Sequence, residues 1–299
     1  MLAAFVPIWL LTGLGWVTGR RGLLGPEAER VLGGFVFHLA MPAALFTALS
    51  RAPLAVQPAA LGAFAVSTAV TMAVAFTLGA VRRRSTGEAT IGAMAAGYVN
   101  SANLGIPVAL QVLGDAAFLT QVLLFQVLVV TPVILVLLDR GAGRRLRPGR
   151  LLTLPLRNPV IAGPALGVLC SGLGWRPPEL IAGPLALLGA AAVPTALVVL
   201  GLSLTAGGPR PTGGRVEVAV LTGLKLVFQP LVAWVVGLLA GVGSAALLAL
   251  VVCAALPTAQ NTYLYAREYG QGGAVARETV IVSTALSMAT LAVLGALLG

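Results

Sequence analysis

Two short polar stretches interrupt an otherwise apolar chain. The first runs from Asn100 through Ser101 and Asn103 to Gly105 and Pro107. The second runs from Pro257 and Thr258 to Gln260 and Asn261, with Tyr263 and Tyr265 close behind. Carboxamides both donate and accept hydrogen bonds. A cluster of them suits a small anion whose oxygens need donors. The same amide oxygens, with freed backbone carbonyls, suit a cation such as sodium, so both ligand classes stay open. Gly105 relaxes the backbone, and Pro107 has no N–H for the carbonyl of Asn103. Pro257 likewise frees the carbonyl of Cys253. Each stretch is read as a broken helix, with a half-helix restarting near Pro107 and near Pro257. Such restarts aim positive dipole ends and N–H groups at a ligand, which favours an anion.

The elements that must hold these stretches are membrane helices. The chain has 299 residues, 58% of them hydrophobic and only 9% charged, with a mean hydropathy of +0.98. Soluble domains carry about 25% charged residues, so this chain has too few to cover a water-facing surface. Apolar runs of roughly 20 residues recur from end to end, each long enough to cross the hydrocarbon core. Strand-like alternation is absent, so helices must satisfy the backbone. The predicted fold is an all-α polytopic membrane protein with ten spans at about 2–19, 30–49, 58–80, 89–113, 117–138, 158–173, 180–204, 217–240, 244–266 and 275–298. The first run lacks a basic leader and an obvious cleavage site and is read as a retained span. The polar stretches fall in spans four and nine, near their midpoints.

Loop charges set the orientation. Sixteen of the 19 Lys and Arg residues lie in odd-numbered loops, six of them between Arg140 and Arg157, and only Arg51 and Arg176 in even-numbered ones. Odd loops are therefore expected on the cytoplasmic side, with both termini outside. The formal charge of +10 is topogenic; the arginines form no continuous basic face, so nucleic acid is not an expected partner.

The chain also repeats itself. A shift of 152 residues lays Pro7 on Pro159, Gly15 on Gly167, Gly22 on Gly174, Pro26 on Pro178 and Pro42 on Pro194. The expected domains are a first five-helix repeat over 1–138, a cytoplasmic linker over 139–157 and a second repeat over 158–299. An odd span number inverts the second copy, a mark of secondary transporters. Spans four and nine are then equivalent, and paired broken helices at equivalent places point to a transporter binding site.

Other intramembrane polar residues carry weaker signals. His38 is the one histidine; it is read either as a protonatable group or as a packed, hydrogen-bonded side chain. Lys225 either attracts a carboxylate or snorkels to the nearby cytoplasmic interface. Thr195 follows Pro194 and would be near the site if that proline unwinds its helix. Gln126 and Gln229 line a cavity or join helices. All nine acids lie in loops or at span ends, which argues against a relay built on buried carboxylates. There is no phosphate-binding GxxxxGK[ST] motif and no nucleophile–base set, so neither direct ATP use nor an enzyme is expected. Cys170 and Cys253 sit in apolar runs and read as packing residues, so no metal site is expected.

The stretches NSANLGIPVALQVLGD (Asn100 to Asp115) and LPTAQNTYLYAREYG (Leu256 to Gly270) resemble the fourth- and ninth-span signatures of the auxin efflux carrier (AEC) family. RNPVIAGPALG and AAVPTALVVLGLSL in spans six and seven are similar to it too, so the resemblance runs the length of the chain. It implies ten helices in two inverted five-helix repeats, with helices four and nine crossing near the midplane. It implies a support domain of spans 1, 2, 6 and 7 and a transport domain of spans 3–5 and 8–10. It also implies elevator-type transport of organic anions such as malonate, malate or auxin, often by homodimers, with no cofactor and with sodium or proton coupling undecided. Compared with plant members the central loop is short. A sodium-coupled symporter of the bile-acid type and a non-transporting membrane sensor are the competing readings. Asn103 and Asn261 are the expected ligand contacts, with Asn100, Ser101, Gln260 and Thr258 around them.

Overall fold

The computed structural model describes residues 2–51, 57–143, 159–205 and 214–298. The arginines at 144, 145, 147, 150 and 157 in the expected linker, and Arg210, lie outside them. The described residues form helices and no strand. In chain order these are α1 (Leu2–Arg20), α2 (28–51), α3 (Pro58–Val81), α4 (Thr86–Gly97), α5 (101–113), α6 (Ala117–Gly141), α7 (Pro159–Gly172), α8 (179–203), α9 (Arg215–Leu239), α10 (Ser244–Ala254), α11 (Asn261–Tyr269) and α12 (Gly273–Leu298). Among the described residues six helices are long and apolar enough to cross a membrane: Ala28–Thr47, Pro58–Val81, Ala117–Gly141, Glu179–Leu202, Arg215–Leu239 and Gly273–Leu291.

The chain divides into two compact units. Unit 1 comprises Met1–Val56, Ala102–Leu124 and Leu152–Gly207; unit 2 comprises Gln57–Ser101, Phe125–Leu151 and Gly208–Gly299. Unit 1 thus takes in 102–124, from the expected spans four and five, beside 1–56 and 152–207.

In unit 1, α1 packs along 192–203 of α8, and α7 packs along 41–51 of α2. A shift of 152 residues turns 41–51 into 193–203, so the two contacts lie at matching positions along the chain. Glycine makes both contacts close. A Cβ on Gly15 would overlap the Val198 carbonyl, one on Gly201 the Thr12 carbonyl, and one on Gly163 the Pro42 carbonyl. Lipid tails are as apolar as leucine, so close backbone packing is what holds such helices together.

In unit 2, α3 packs on α4, the second half of α9 on α3 and α10, and the first half of α9 on α12. Local signals start and stop these elements. Ser85 caps α4: its Oγ accepts the Glu88 N–H at 3.1 Å, and Glu88 Oε2 accepts the Ser85 N–H at 3.2 Å, a reciprocal box visible in the sequence as Ser-x-x-Glu. Arg84 donates to Glu217 at 2.5 Å. Because Arg84 is 40% exposed, a double-mutant cycle on this pair by thermal unfolding should return no more than about 1 kcal/mol.

Among the described residues five stretches are π-helical: 36–40, 101–105, 109–113, 126–130 and 224–228. Four of them end two residues before a proline, namely Pro42, Pro107, Pro132 and Pro230. Proline cannot donate to the carbonyl four residues back and its ring crowds it. Widening the preceding turn relieves that clash and keeps the helix continuous. Thus Met41 donates to Val36, Thr131 to Gln126 and Gln229 to Leu224, each five residues back.

Candidate functional site

The two polar stretches do hold breaks, and the breaks meet. α4 stops at Gly97 and Tyr98–Asn100 is extended; α10 stops at Ala254 and the chain resumes as helix only at Asn261. Val99 and Thr258 form one antiparallel bridge. The Asn100 N–H donates to the Pro257 carbonyl at 2.8 Å, and the Ala259 N–H donates to the Tyr98 carbonyl at 3.0 Å. Proline fits here because the pairing asks only for its carbonyl; the N–H it lacks has no partner to lose.

In this bridge the backbone groups of Val99 and Thr258 point outward from the pair. Side chains complete them. Gln126 Oε1 accepts the Val99 N–H at 3.0 Å, and Gln126 Nε2 donates to the Val99 carbonyl and to Ser101 Oγ, both at 3.0 Å. The carboxamide therefore replaces a neighbouring strand. On the far side Ser283 Oγ accepts the Thr258 N–H at 3.2 Å. Thr258 Oγ1 donates to the Ala95 carbonyl at 2.6 Å, and Tyr98 Oη pairs with Thr131 Oγ1 at 2.9 Å. Asn100, Ser101, Gln126 and Thr258 are all buried, so unpaired backbone here would be costly.

One expectation is corrected in position. The first break lies at Tyr98–Asn100, and the half-helix restarts at Ser101, not near Pro107. Pro107 sits inside α5, absorbed by the π-helical stretch 101–105 before it. Pro257 lies in its break as expected. Both restarted helices end on a left-handed glycine, Gly114 (φ 81) and Gly270 (φ 64), where a side chain would be strained.

Unit 2 brings Asn100, Ser101, Pro257 and Thr258 together. Gln260 and Asn261 stand at the start of α11, Gln260 half-buried and Asn261 exposed, with Tyr263 half-buried one turn on. Asn103, Gly105 and Pro107 belong to α5 in unit 1, where Gly105 and Pro107 are buried. His38 and Thr195 also belong to unit 1. His38 is exposed and its Nδ1 donates to the Gly34 carbonyl at 3.0 Å; Thr195 is half-buried.

Snorkelling by Lys225 is overturned. Its side chain is 0% exposed. Nζ donates to the Ala254 carbonyl at 2.7 Å and to Gln229 Oε1 at 2.5 Å. Gln229, also fully buried, donates through Nε2 to the Gly97 carbonyl at 3.1 Å and to Thr68 Oγ1 at 3.2 Å. A lysine four residues before a glutamine and five before a proline was the available signal; the partner carbonyls are too distant in sequence to foresee. Among the described residues no group of His, Cys, Asp and Glu side chains suits a metal.

The family model described as "Membrane transport protein" (Mem_trans) matches residues 1–294. A protein of Rhizobium meliloti (strain 1021) named "Putative malonate transporter" is 30% identical over 306 aligned positions, covering 95% of this chain and 92% of the relative. "Uncharacterized transporter YfdV" of Escherichia coli (strain K12) is 27% identical over 284 positions and covers 90% of each chain.

Proposed function

Because the chain belongs to the membrane transport protein family, the auxin efflux carriers of the sequence resemblance, and is a transporter rather than an enzyme, we propose that it is a secondary carrier for small organic anions, with the paired breaks at its substrate site. One observation carries this reading: the extended segments Tyr98–Asn100 and Pro257–Ala259 hydrogen-bond to each other across two interrupted helices. Interrupted helices at matching places are where carriers bind substrate. The backbone groups of the bridge are met by protein donors and acceptors, so the bridge frames a site and leaves ligand contact to side chains beside it.

The amides of Asn100, Gln260 and Asn261, with Ser101 and Thr258, are assigned to substrate recognition; Asn103 is assigned from the sequence. Donor amides and the absence of acids among these residues favour a carboxylate. The relative named for malonate supports a short dicarboxylate or monocarboxylate such as malonate or malate. The proposal includes ten spans in two inverted repeats with helices four and nine crossing. It extends to elevator-type alternating access, placement in the cytoplasmic membrane with both termini outside, and a homodimer. The reciprocal packing of α1 on α8 and α7 on α2, and the matching left-handed turns at Gly22 (φ 65) and Gly174 (φ 64), support the repeat.

Purified protein in liposomes should take up labelled malonate or malate above empty vesicles. Asn261→Ala is expected to lower uptake about tenfold while leaving thermal unfolding unchanged, since the side chain is exposed and its loss is a lost ligand hydrogen bond. Asn103→Ala is assayed beside it. Parent-like uptake by both variants would sink the site assignment; no uptake of any mono- or dicarboxylate would sink the substrate class.

A further inference from the structure

The last carbonyls of a helix have no intrahelical partner and carry the negative end of its dipole. In carriers built on broken helices, such carbonyls hold the coupling cation. Here α4 and α10 end at Gly97 and Ala254, and one helix serves both ends. On α9, Lys225 reaches the Ala254 carbonyl and Gln229 reaches the Gly97 carbonyl, at 2.7 and 3.1 Å. Lys225 also donates to Gln229 Oε1 at 2.5 Å, so the two side chains form one link from helix end to helix end. They are four residues apart, on one face of α9.

The surrounding carbonyls are engaged as well. Ala95 accepts from Thr258 Oγ1, Tyr98 from the Ala259 N–H, Val99 from Gln126 Nε2, and Pro257 from the Asn100 N–H. Oxygens that a metal cation would gather are already held by protein donors. No ion pair involves Lys225 among the described residues. Its acceptors are an amide oxygen and a helix-terminal carbonyl, the same ligand types that hold sodium in interrupted helices.

We propose that Lys225 is a resident cation: its side chain occupies the place at the paired helix ends that a coupling sodium ion would take, Gln229 extends the link to the second helix, and transport therefore runs without sodium. This rests on the carrier reading for its consequence in flux, and not for its consequence in ion binding. Lys225 is a positioning residue in this scheme, holding the two helix ends that carry the breaks.

The test compares the parent, Lys225→Ala and Lys225→Arg in sodium and in choline buffers. Labelled malonate uptake is measured in liposomes, and thermal unfolding in detergent without substrate. Parent uptake should agree within about twofold in the two buffers, and its unfolding temperature should not respond to sodium. Lys225→Ala opens the place. Its unfolding temperature should rise by about 2 °C or more in sodium through mass action, and its uptake should fall about tenfold in choline and partly recover in sodium. Lys225→Arg keeps the cation and should stay indifferent to sodium. A parent whose uptake or unfolding temperature depends on sodium overturns the proposal, and so does a Lys225→Ala protein that ignores sodium in both assays. If Lys225→Ala cannot be purified, the parent and Lys225→Arg decide: indifference in both supports the resident cation, and sodium dependence in either overturns it. If no carboxylate is transported, the carrier reading fails alone, because the unfolding arm still decides the role of the lysine.

Discussion

Gln126→Met should lower carrier stability by about 2–4 kcal/mol and reduce uptake at least about tenfold. Methionine matches the glutamine in length and keeps the volume, so little of the loss comes from packing. What disappears is the carboxamide that pairs with the Val99 N–H and with Ser101 Oγ. Val99 is fully buried, so its N–H finds no water, and leaving a buried donor unmet costs about 1–3 kcal/mol. The Val99 carbonyl fares better, because the Ser101 N–H also reaches it at 2.9 Å. Thermal unfolding in detergent and uptake in liposomes read the two effects. A Gln126→Met protein with the parent's unfolding temperature and flux would show that the bridge does not depend on this side chain.

Gly201→Val should be the most disruptive single change in unit 1. The new side chain would meet the Thr12 carbonyl and the backbone at Gly15 and Trp16. Backbone cannot swing aside as a side chain can, so α1 and α8 must separate along their contact. Overpacking a well-fitted contact costs about 1–3 kcal/mol and sometimes more, and in a bilayer little else holds the pair. The expected result is loss of most folded protein from the membrane fraction, measured by fluorescence-detected size exclusion. Gly13→Ala on the same helix is the control: nothing lies within 4 Å of its added Cβ, and the protein should accumulate like the parent. Equal yields of the two variants would refute the role given to the Gly201 contact.

The helical class and the two breaks were legible because both follow from composition and local polarity. Twenty-residue apolar runs leave no alternative to helices, and Asn, Ser, Thr and Pro at mid-span leave little alternative to an interruption. Pro257 marked its break well. Pro107 misled by seven residues: a proline predicts loss of one hydrogen bond, and a helix can absorb that loss by widening a turn. The extended segment at Tyr98–Asn100 carries no local breaker of its own and depends on a pairing partner 159 positions away, at Pro257–Ala259. Lys225 was misread for the same reason. A lysine near a span end has a default route to water, and only the tertiary arrangement supplies the Ala254 carbonyl that turns it inward. Gln126 and Gln229 read from the sequence as lining a cavity or joining helices, yet their roles are set by open backbone groups that no local pattern announces.

The π-helical turns before Pro42, Pro107, Pro132 and Pro230 carry a further consequence. Each is in effect a one-residue insertion taken up inside a helix. An α-helix advances about 100° per residue, so excising one residue from 224–228 would restore an ordinary turn and spin the segment on the other side of it by that angle. Gln229 lies just beyond that wide turn, and the excision would turn the face that follows it by that angle relative to 215–223. The same holds for 126–130, where Gln126 must aim at Val99 while the apolar face beyond Thr131 keeps its neighbours. The wide turns thus act as phase adjusters. They let one continuous helix present a polar residue in one direction and a packing face in another, an arrangement that a regular 3.6-residue repeat would not permit.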